Sequence, residues 1–290
     1  MNIAVVVASK DRAEEIGQLL HSLERQSLQP SAVILSVEKM ADLPSDLPKN
    51  VQVIVGPCGS SAQRNRGLEL AVTNCDAVVF FDDDFLPTKD SLFGISRLFE
   101  LYPDIVCATG VVLHDGVKEG GFGYDAAVKL LHSYELRPIT GPIITKVTMG
   151  TYGCNMAFRA MAIIDIRFDE NLPLYGWQED MDFAARAGRF GKIVKTNAFA
   201  GVHRGVNKGR SPGEKLGYSQ MVNPVYLVRK GTMRLDVAAH LMIKNFLANH
   251  VKVLAPEPFI DRRGRVRGNW RGLKHLLRGH VDPTEILRSH

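Results

Sequence analysis

Three consecutive carboxylates, Asp82-Asp83-Asp84, follow the apolar run Val78-Val79-Phe80-Phe81. Three like charges side by side repel one another, and packing gives no reason for them. A hard divalent cation does: Mg²⁺ or Mn²⁺ takes oxygen ligands and commonly shares a substrate's phosphates. An acidic loop or helix cap fits the triplet alone equally well. A second acidic element is Gly176-Trp177-Gln178-Glu179-Asp180-Met181-Asp182. On a helix Glu179 and Asp182 lie near one face at i,i+3 spacing, and Asp180 points elsewhere, free to meet a cleft. A carboxylate partly removed from water makes a workable general base. Acids that satisfy a helix dipole are the plainer alternative.

Two basic elements accompany them. Ala200-Gly201-Val202-His203-Arg204 puts a histidine at a strand end, and Lys208 and Arg210 follow on a Gly-rich stretch. His203 suits a metal ligand, and Arg204, Lys208 and Arg210 suit a pyrophosphate clamp. Ser60-Ser61-Ala62-Gln63-Arg64-Asn65-Arg66-Gly67 reads as a helix start carrying two arginines, equally compatible with a solvated face.

The elements that must position these residues follow from periodicity. Ile3–Ala8, Ala32–Val37, Val51–Val55, Val78–Phe81 and Ile105–Leu113 are short apolar runs rich in β-branched residues, and they predict buried strands. Helical spacing follows Asp11, with Glu14 placed as a capping-box acid, and recurs at Ser61–Ala71 and Asp90–Tyr102. Strands alternating with helices predict an α/β domain with a mostly parallel central sheet and helices on both faces. Ligands bind beyond the carboxyl ends of such strands, where the acids stand. Residues 115–150 read as loops, with a short helix near Ala126–Tyr134. Glu179–Phe190 reads as a helix, Ile193–Phe199 as a strand, residues 203–217 as a polar Gly-rich loop and Leu235–Leu254 as an amphipathic helix.

Length and composition narrow the class. The 290 residues are 45% hydrophobic and 23% charged, with 26 Gly and 14 Pro. That excludes a disordered chain, a coiled coil, a collagen and a disulfide-stapled miniprotein. No run approaches the roughly 18 apolar residues of a spanning helix, and the first residues lack a secretory signal pattern. Cys58, Cys75, Cys107 and Cys154 form no CxxC pair and are expected to be reduced, buried thiols, which favours the cytoplasm. The net charge of +5 divides unevenly: residues 1–200 carry 19 Lys and Arg against 25 Asp and Glu, and residues 201–290 carry 17 against 6. An acidic part suits cation binding, and a basic end suits an anionic partner.

The order of these elements is more specific than any one of them. VVVASKDR, a strand ending at Glu38, SAQRNRGLELA, FFDDDF, GTYGCNMAFR, GWQEDMDFAARAGRFG and GVHRG together resemble the family 2 inverting glycosyltransferases of the GT-A fold, over roughly residues 1–210. The resemblance implies a metal held on a nucleotide sugar's diphosphate by Asp82 and Asp84, with His203 as a further ligand. It implies Asp180 as the acceptor base with Glu179 beside it, and Trp177 and Glu179 at the acceptor. It implies nucleotide contacts from Ala8, Ser9 and Arg12 in the first turn, from Glu38 and Asp83 near the base or ribose, and from Arg64 and Asn65 of the family's ARN element. It also implies a loop beside the donor sugar at Gly150–Asn155, and diphosphate contacts from Arg204, Lys208 and Arg210. The family's first turn usually reads P-x-Y-N-R, where this chain has A-S-K-D-R.

The expected organisation is a GT-A domain at 1–210 and a basic, mostly helical region at 211–290 that meets a membrane, the acceptor or a second copy. The expected activity is inverting transfer of a hexosyl group from a nucleoside diphosphate sugar, most simply a UDP-sugar, with Mn²⁺ or Mg²⁺. The expected acceptor is a saccharide or lipid-linked hydroxyl in bacterial polysaccharide or glycolipid assembly. Residues 261–278, crowded with arginine around Trp270, suit an anionic membrane surface at the inner face of the cell membrane. A solvated basic surface or a homo-oligomer contact suits them as well. A phosphatase resembling the haloacid dehalogenase group shares an Asp-x-Asp after a strand, but Phe85-Leu86-Pro87 follows here instead of Gly or Thr. A nucleotidyltransferase shares the α/β domain, but SKDR lacks a Gly-rich phosphate loop. A nucleic-acid binder leaves both acidic elements unexplained, and no nucleic acid is expected.

Overall fold

The computed structural model describes residues 1–136, 141–206 and 212–288. The apolar runs form strands β1 (Ile3–Ser9), β2 (Ala32–Val37), β3 (Val51–Val55), β4 (Ala77–Phe81), β5 (Phe85–Pro87), β6 (Ile105–Asp115), β7 (Ile144–Val147), β8 (Asn155–Arg159) and β9 (Lys192–His203) of one sheet. Its order is β3-β2-β1-β4-β8-β6-β9-β5, with β7 paired to β9. The parallel arrangement holds through β3-β2-β1-β4 and between β6 and β9. Strand β8 runs antiparallel between β4 and β6, and β5 and β7 run antiparallel to β9. Strand β7 lies where loops were expected, β5 directly after the acids, and β8 in a stretch for which no element was expected. Their sequences are too short and too mixed to show a period.

Alternate residues of each parallel strand face opposite layers, as the two-residue period of a strand requires. Val5, Val7, Val33 and Leu35 meet Ile16, Leu19, Leu92 and Ile95 on α1 (Ala13–Glu24) and α3 (Ser91–Leu101). Ala4, Val6, Ile34 and Phe80 meet Leu68, Ala71, Phe183 and Ala184 on α2 (Ser60–Ala71) and α6 (Glu179–Ala187). Each fully buried Val, Leu, Ile or Phe contributes about 1.5–3 kcal/mol, so the two faces clamp the strand ends at which the acids stand. Helix α4 (Tyr124–Glu135) covers the far side near β9, and the short α5 (Ala160–Ile163) follows β8.

Three expectations change. Asp11 is not the cap of α1: Arg12 holds that position without a side-chain cap, and Asp11 takes φ 55° and pairs with Lys39 Nζ at 2.8 Å. Cys107 and Cys154 are buried, but Cys58 is exposed and Cys75 half-buried; all four are free thiols. The loop expected over 203–217 ends at α7 (Gly213–Lys230), and its centre, 207–211, lies outside the described residues.

Helices α7, α8 (Leu235–Lys252) and α9 (Arg262–Leu277) form the C-terminal region. Their packing explains the glycines that obscured α7. A Cβ on Gly217 would stand 2.2 Å from the Arg265 carbonyl oxygen, and one on Gly268 would stand 2.0 Å from that of Glu214. Close backbone approach of α7 and α9 therefore requires glycine at both positions. The region docks on the first through α7: Asn223 Nδ2 donates to the Trp177 carbonyl at 2.8 Å, and Lys230 Nζ meets the buried Asp182 at 2.9 Å. Among the described residues no helix is long and apolar enough to cross a membrane. Gly268→Ala is expected to destabilise the protein by about 1–3 kcal/mol through overpacking, read as a thermal midpoint several degrees lower, whereas Gly231→Ala, whose Cβ meets nothing, costs only its left-handed backbone.

Candidate active site

The carboxyl ends of β1, β4, β6 and β9 converge on one acidic cleft. The strand β4 ends at Phe81, and the next three residues turn sharply, with Phe85 N donating to Asp82 O at 3.0 Å. That turn sends the three carboxylates to different partners. Asp83 is buried; it accepts from Ser9 Oγ at 2.5 Å and from Arg12 Nη1 at 2.6 Å. Asp84 is buried as well; its Oδ2 accepts the Val206 N–H at 2.7 Å and lies 3.3 Å from Arg12. Asp82 keeps 29% of its side chain exposed and takes Arg64 Nη2 at 2.8 Å.

His203 closes the group. In the β6–β9 register it lies opposite Asp115, and its Nδ1 meets Asp115 Oδ1 at 3.1 Å. Tyr152 Oη donates to the other Asp115 oxygen at 3.1 Å. This pairing fixes the ring and directs Nε2 toward Asp84 Oδ1 at 3.3 Å and Asp82 Oδ2 at 3.8 Å. A carboxylate behind a ligating histidine is the usual means of setting its tautomer.

Asp82, Asp84 and His203 offer one ligand atom each within 4.8 Å of one another. The trio fits a divalent cation: Asp84 Oδ1 is buried without a hydrogen-bond partner, and a hard ion wants that oxygen. Burial alone would raise Asp84, but the close approach and charge of His203, with Arg12 and the Val206 N–H, hold it below the usual carboxylate range. Burial pushes Asp83 up against the pull of Arg12, and the charge of Asp84 adds to the rise. Burial disfavours the charge on His203, yet Cys154, Asp115 and Asp84 raise it well above the usual imidazole range. A proton on His203 thus offsets the acids, and its loss exposes the Nε2 lone pair to the same space.

The second acidic element stands one residue away. Leu174 and Gln178 adopt φ 62° and 76° in the turn before α6, with Gly176 at 62° between them. Left-handed non-glycine residues of this kind store strain and gather at functional sites. The turn delivers Glu179 and Asp180 to different partners. Glu179 is buried against Arg64 Nη1, with Ser60 Oγ at 3.2 Å and Ser61 Oγ at 3.4 Å. Burial pushes it up to about 7 against the pull of Arg64. Asp180 accepts the Gly153 N–H at 2.8 Å and the Met181 N–H at 2.8 Å. Burial raises it above the ordinary aspartate value in spite of those bonds. Gly153 also accepts from Arg64 Nη2 at 3.1 Å through its carbonyl. Asp180, Gly153, Arg64 and Asp82 therefore form one continuous chain of contacts.

The other expected site residues among the described ones each have partners within the fold. Asn65 is spent as a strut: its amide donates to Phe168 O at 3.0 Å and Glu170 Oε1 at 2.8 Å, and its oxygen accepts the Phe168 N–H at 2.7 Å. Both of its amide hydrogens are engaged within the fold. Arg204 donates to Phe122 O at 3.1 Å and to Gln18 Oε1, and lies over the Tyr124 ring. It ties α1 to the start of α4 and does not face the acids. Ser9, Arg12 and Asp83 engage one another, and both Asp83 oxygens are occupied. Ala8 lies in register with Ser36 in the first strand pair. Glu38 directly follows β2 and pairs with Lys10 Nζ at 2.7 Å. Trp177 is half-buried beside α7, and Glu179 is held by Arg64 in place of an acceptor. Lys208 and Arg210 lie outside the described residues. Asp115 was not anticipated, and Tyr152 was anticipated only as part of the Gly150–Asn155 loop. The signal for Asp115 was its place in VVLHDG, a polar residue past an apolar strand.

Residues 4–167 match the glycosyl transferase family 2 domain. The chain therefore belongs to that family, its fold is GT-A, and it is a glycosyltransferase. None of the curated proteins matches it by sequence. Its fold is similar to that of S. aureus TarS 1–349, with a TM-score of 0.53 at 13% identity over 97% of this chain and 92% of that one. TarS 1–349 has also been solved with UDP-GlcNAc. The mannosyltransferase PcManGT of Pyrobaculum calidifontis, solved with GDP-Man and Mn²⁺, aligns with a TM-score of 0.50 at 13% identity, over 99% of this chain and 78% of that one. GalNAc-T7, solved with UDP, GalNAc and Mn²⁺, aligns with a TM-score of 0.55 at 14% identity, over 96% of this chain and 56% of that one.

Asp115→Asn keeps the shape behind His203 and removes the charge. Calorimetric titration of Mn²⁺ is expected to show affinity about 10–100-fold weaker than wild type, with the thermal midpoint of the metal-free protein little changed.

Proposed function

We propose that the chain transfers a sugar, with inversion, from a nucleoside diphosphate sugar to an acceptor hydroxyl, and that Asp180 is the base. One observation carries this: Asp180 is linked through Gly153 and Arg64 to the carboxylate of Asp82, so a base and a diphosphate site share one cleft. Of the two acids that open α6, Glu179 is occupied by Arg64, Ser60 and Ser61, and among the described residues Asp180 is held only by two backbone N–H groups. Asp180 takes the acceptor proton as that oxygen attacks the anomeric carbon. The bond from that carbon to the diphosphate oxygen breaks, and the nucleoside diphosphate departs with the electron pair. Attack from the face opposite the leaving group inverts the centre in one displacement.

Asp82, Asp84 and His203 would hold the divalent cation, which neutralises charge on the departing diphosphate. An imidazole in the set favours Mn²⁺ over Mg²⁺. The structures of TarS and GalNAc-T7 with uridine nucleotides support a UDP-sugar and a hexosyl group. Ser9, Arg12 and Asp83 keep the first turn rigid at the nucleotide end, with Ala8 and Glu38 along the same sheet edge. We place Trp177 at the acceptor and Lys208 and Arg210 at the diphosphate. Residues 1–210 then form the transferase domain, and 211–290 a basic appendage that presents the acceptor. A saccharide carried on a lipid in polysaccharide or glycolipid assembly, on the cytoplasmic side of a membrane, suits that division.

Asp180→Asn is expected to bind UDP with Mn²⁺ as wild type does and to release UDP at a rate about 10²–10⁴-fold lower with acceptor present. Wild-type turnover in that variant would reassign the base. Because burial raises Asp180, kcat/KM should fall as pH drops through a midpoint above the ordinary aspartate value of about 3.9. A profile flat to that value would contradict its role.

A further inference from the structure

Helix α8 is unusual in what it leaves uncovered. Ala238 and Asn249 are its buried residues, facing α7 and α9. On the opposite side Ile243, Leu247, Val251 and Leu254 are 59%, 56%, 67% and 87% exposed. The spacing of four places Ile243, Leu247 and Val251 in one row along the helix, and Leu254 stands in the turn just past its end. The row continues onto α9. Phe246 packs edge-on against Trp270 with ring centroids 5.4 Å apart, and His250 does so at 5.8 Å. Trp270 is 57% exposed, and Leu277, two turns on, is 89% exposed.

The charges around this row are predominantly positive. Residues 235–278 carry nine Lys and Arg against three Asp and Glu. Arg263, Arg267, Lys274 and Arg278 are exposed on the same side of α9 as Trp270 and Leu277. Glu257 is taken by Lys252 at 2.7 Å and by Arg262 at 2.8 Å, which removes one of the three acids from the field. Among the described residues Arg263, Lys274 and Arg278 meet no carboxylate at ion-pair distance.

Two occupants suit an apolar row: a second copy or a lipid surface. A second copy would bring the same basic rim against this one, and like charges oppose that contact. An anionic bilayer is complementary to both components, since it offers acyl chains to the row and phosphates to the rim, with a tryptophan at the level of the headgroups. We propose that the outer face of α8 and α9 is an interfacial membrane-docking surface for anionic lipid. It rests on the transfer reading only in its purpose. Helix α7 lies between this face and Trp177 and bonds to both sides, so docking would set the acceptor end of the cleft beside a lipid-borne saccharide.

The test uses the full chain and vesicles of phosphatidylcholine with or without phosphatidylglycerol, sedimented at low and high salt. The expected result is binding that needs phosphatidylglycerol and weakens with salt. Arg263→Gln and Lys274→Gln should each lower the partition about fivefold. Leu247→Glu should lower it about tenfold or more, while UDP release with a water-soluble saccharide acceptor stays at the wild-type rate. Three results would overturn the proposal: no sedimentation with anionic vesicles at low salt, undiminished binding of Leu247→Glu, or a wild-type dimer that Leu247→Glu dissociates. Single-stranded DNA that binds as tightly as the vesicles and does so equally in Leu247→Glu would also overturn it, by assigning the rim to nucleic acid. Vesicle binding in a protein that transfers no sugar would uphold the docking face and remove the transfer reading, so the two fail separately.

Discussion

Six carboxylates, Asp82, Asp83, Asp84, Asp115, Glu179 and Asp180, are gathered around three cationic groups, Arg12, Arg64 and His203. Two like charges about 4 Å apart at an effective dielectric near 20 repel by about 4 kcal/mol, a large part of the roughly 5–15 kcal/mol that holds a domain folded. The rest of the cleft answers that constraint. The first answer is fixed positive charge. Arg12 spans Asp83 and Asp84, and Arg64 spans Asp82 and Glu179, so each guanidinium serves two acids. The second answer is proton uptake: Asp83, Glu179, Asp180 and His203 are all raised. The third is an external cation, which the orphaned Asp84 oxygen and the aimed Nε2 of His203 are arranged to accept.

The same constraint explains why the acids stand on different elements. Asp82 to Asp84 leave β4, Asp115 and His203 end the paired strands β6 and β9, and Glu179 and Asp180 open α6. Only a sheet clamped on both faces can hold these ends against mutual repulsion, and the two apolar layers on β1, β2 and β4 supply that clamp. Arg64 is the link between layers. It rises from α2, and its donors reach Asp82, Glu179 and the Gly153 carbonyl together. Asp182, two residues along from Asp180 and held by Lys230 and Thr232, fastens the same helix to the C-terminal region. The cleft and the appendage are therefore mechanically joined.

What was legible in the sequence follows from how local each signal is. The runs at Ile3, Ala32 and Val78 are continuous because their strands are buried on both faces, and period and length alone place them; the run at Val51 is shorter and half-exposed because its strand forms the sheet edge. The acids were visible because like charges need a reason. Strand β8 escaped notice because Asn155–Arg159 is five mixed residues whose strand character comes from its neighbours β4 and β6. Helix α7 escaped because Gly213 and Gly217 imitate a loop, although α9 demands them. The partner of each side chain was the least legible property. Asn65 and Arg204 have the residue types that bind nucleotides and phosphates, yet Phe168, Glu170, Phe122 and Gln18 take their donors, and nothing in their own segments says so. Asp115 sits 88 residues from the histidine it orients, and only the β6–β9 register brings them together.

The central claim is that Asp82, Asp84 and His203 form a cation site beside the base. A crystal of the protein with UDP and Mn²⁺, measured at the manganese absorption edge, tests it directly. The account predicts an anomalous peak at ligand distance from one oxygen of each aspartate and from His203 Nε2, with the diphosphate of UDP on its open side. UDP bound with no anomalous peak among those three residues, or with the manganese elsewhere, would contradict it.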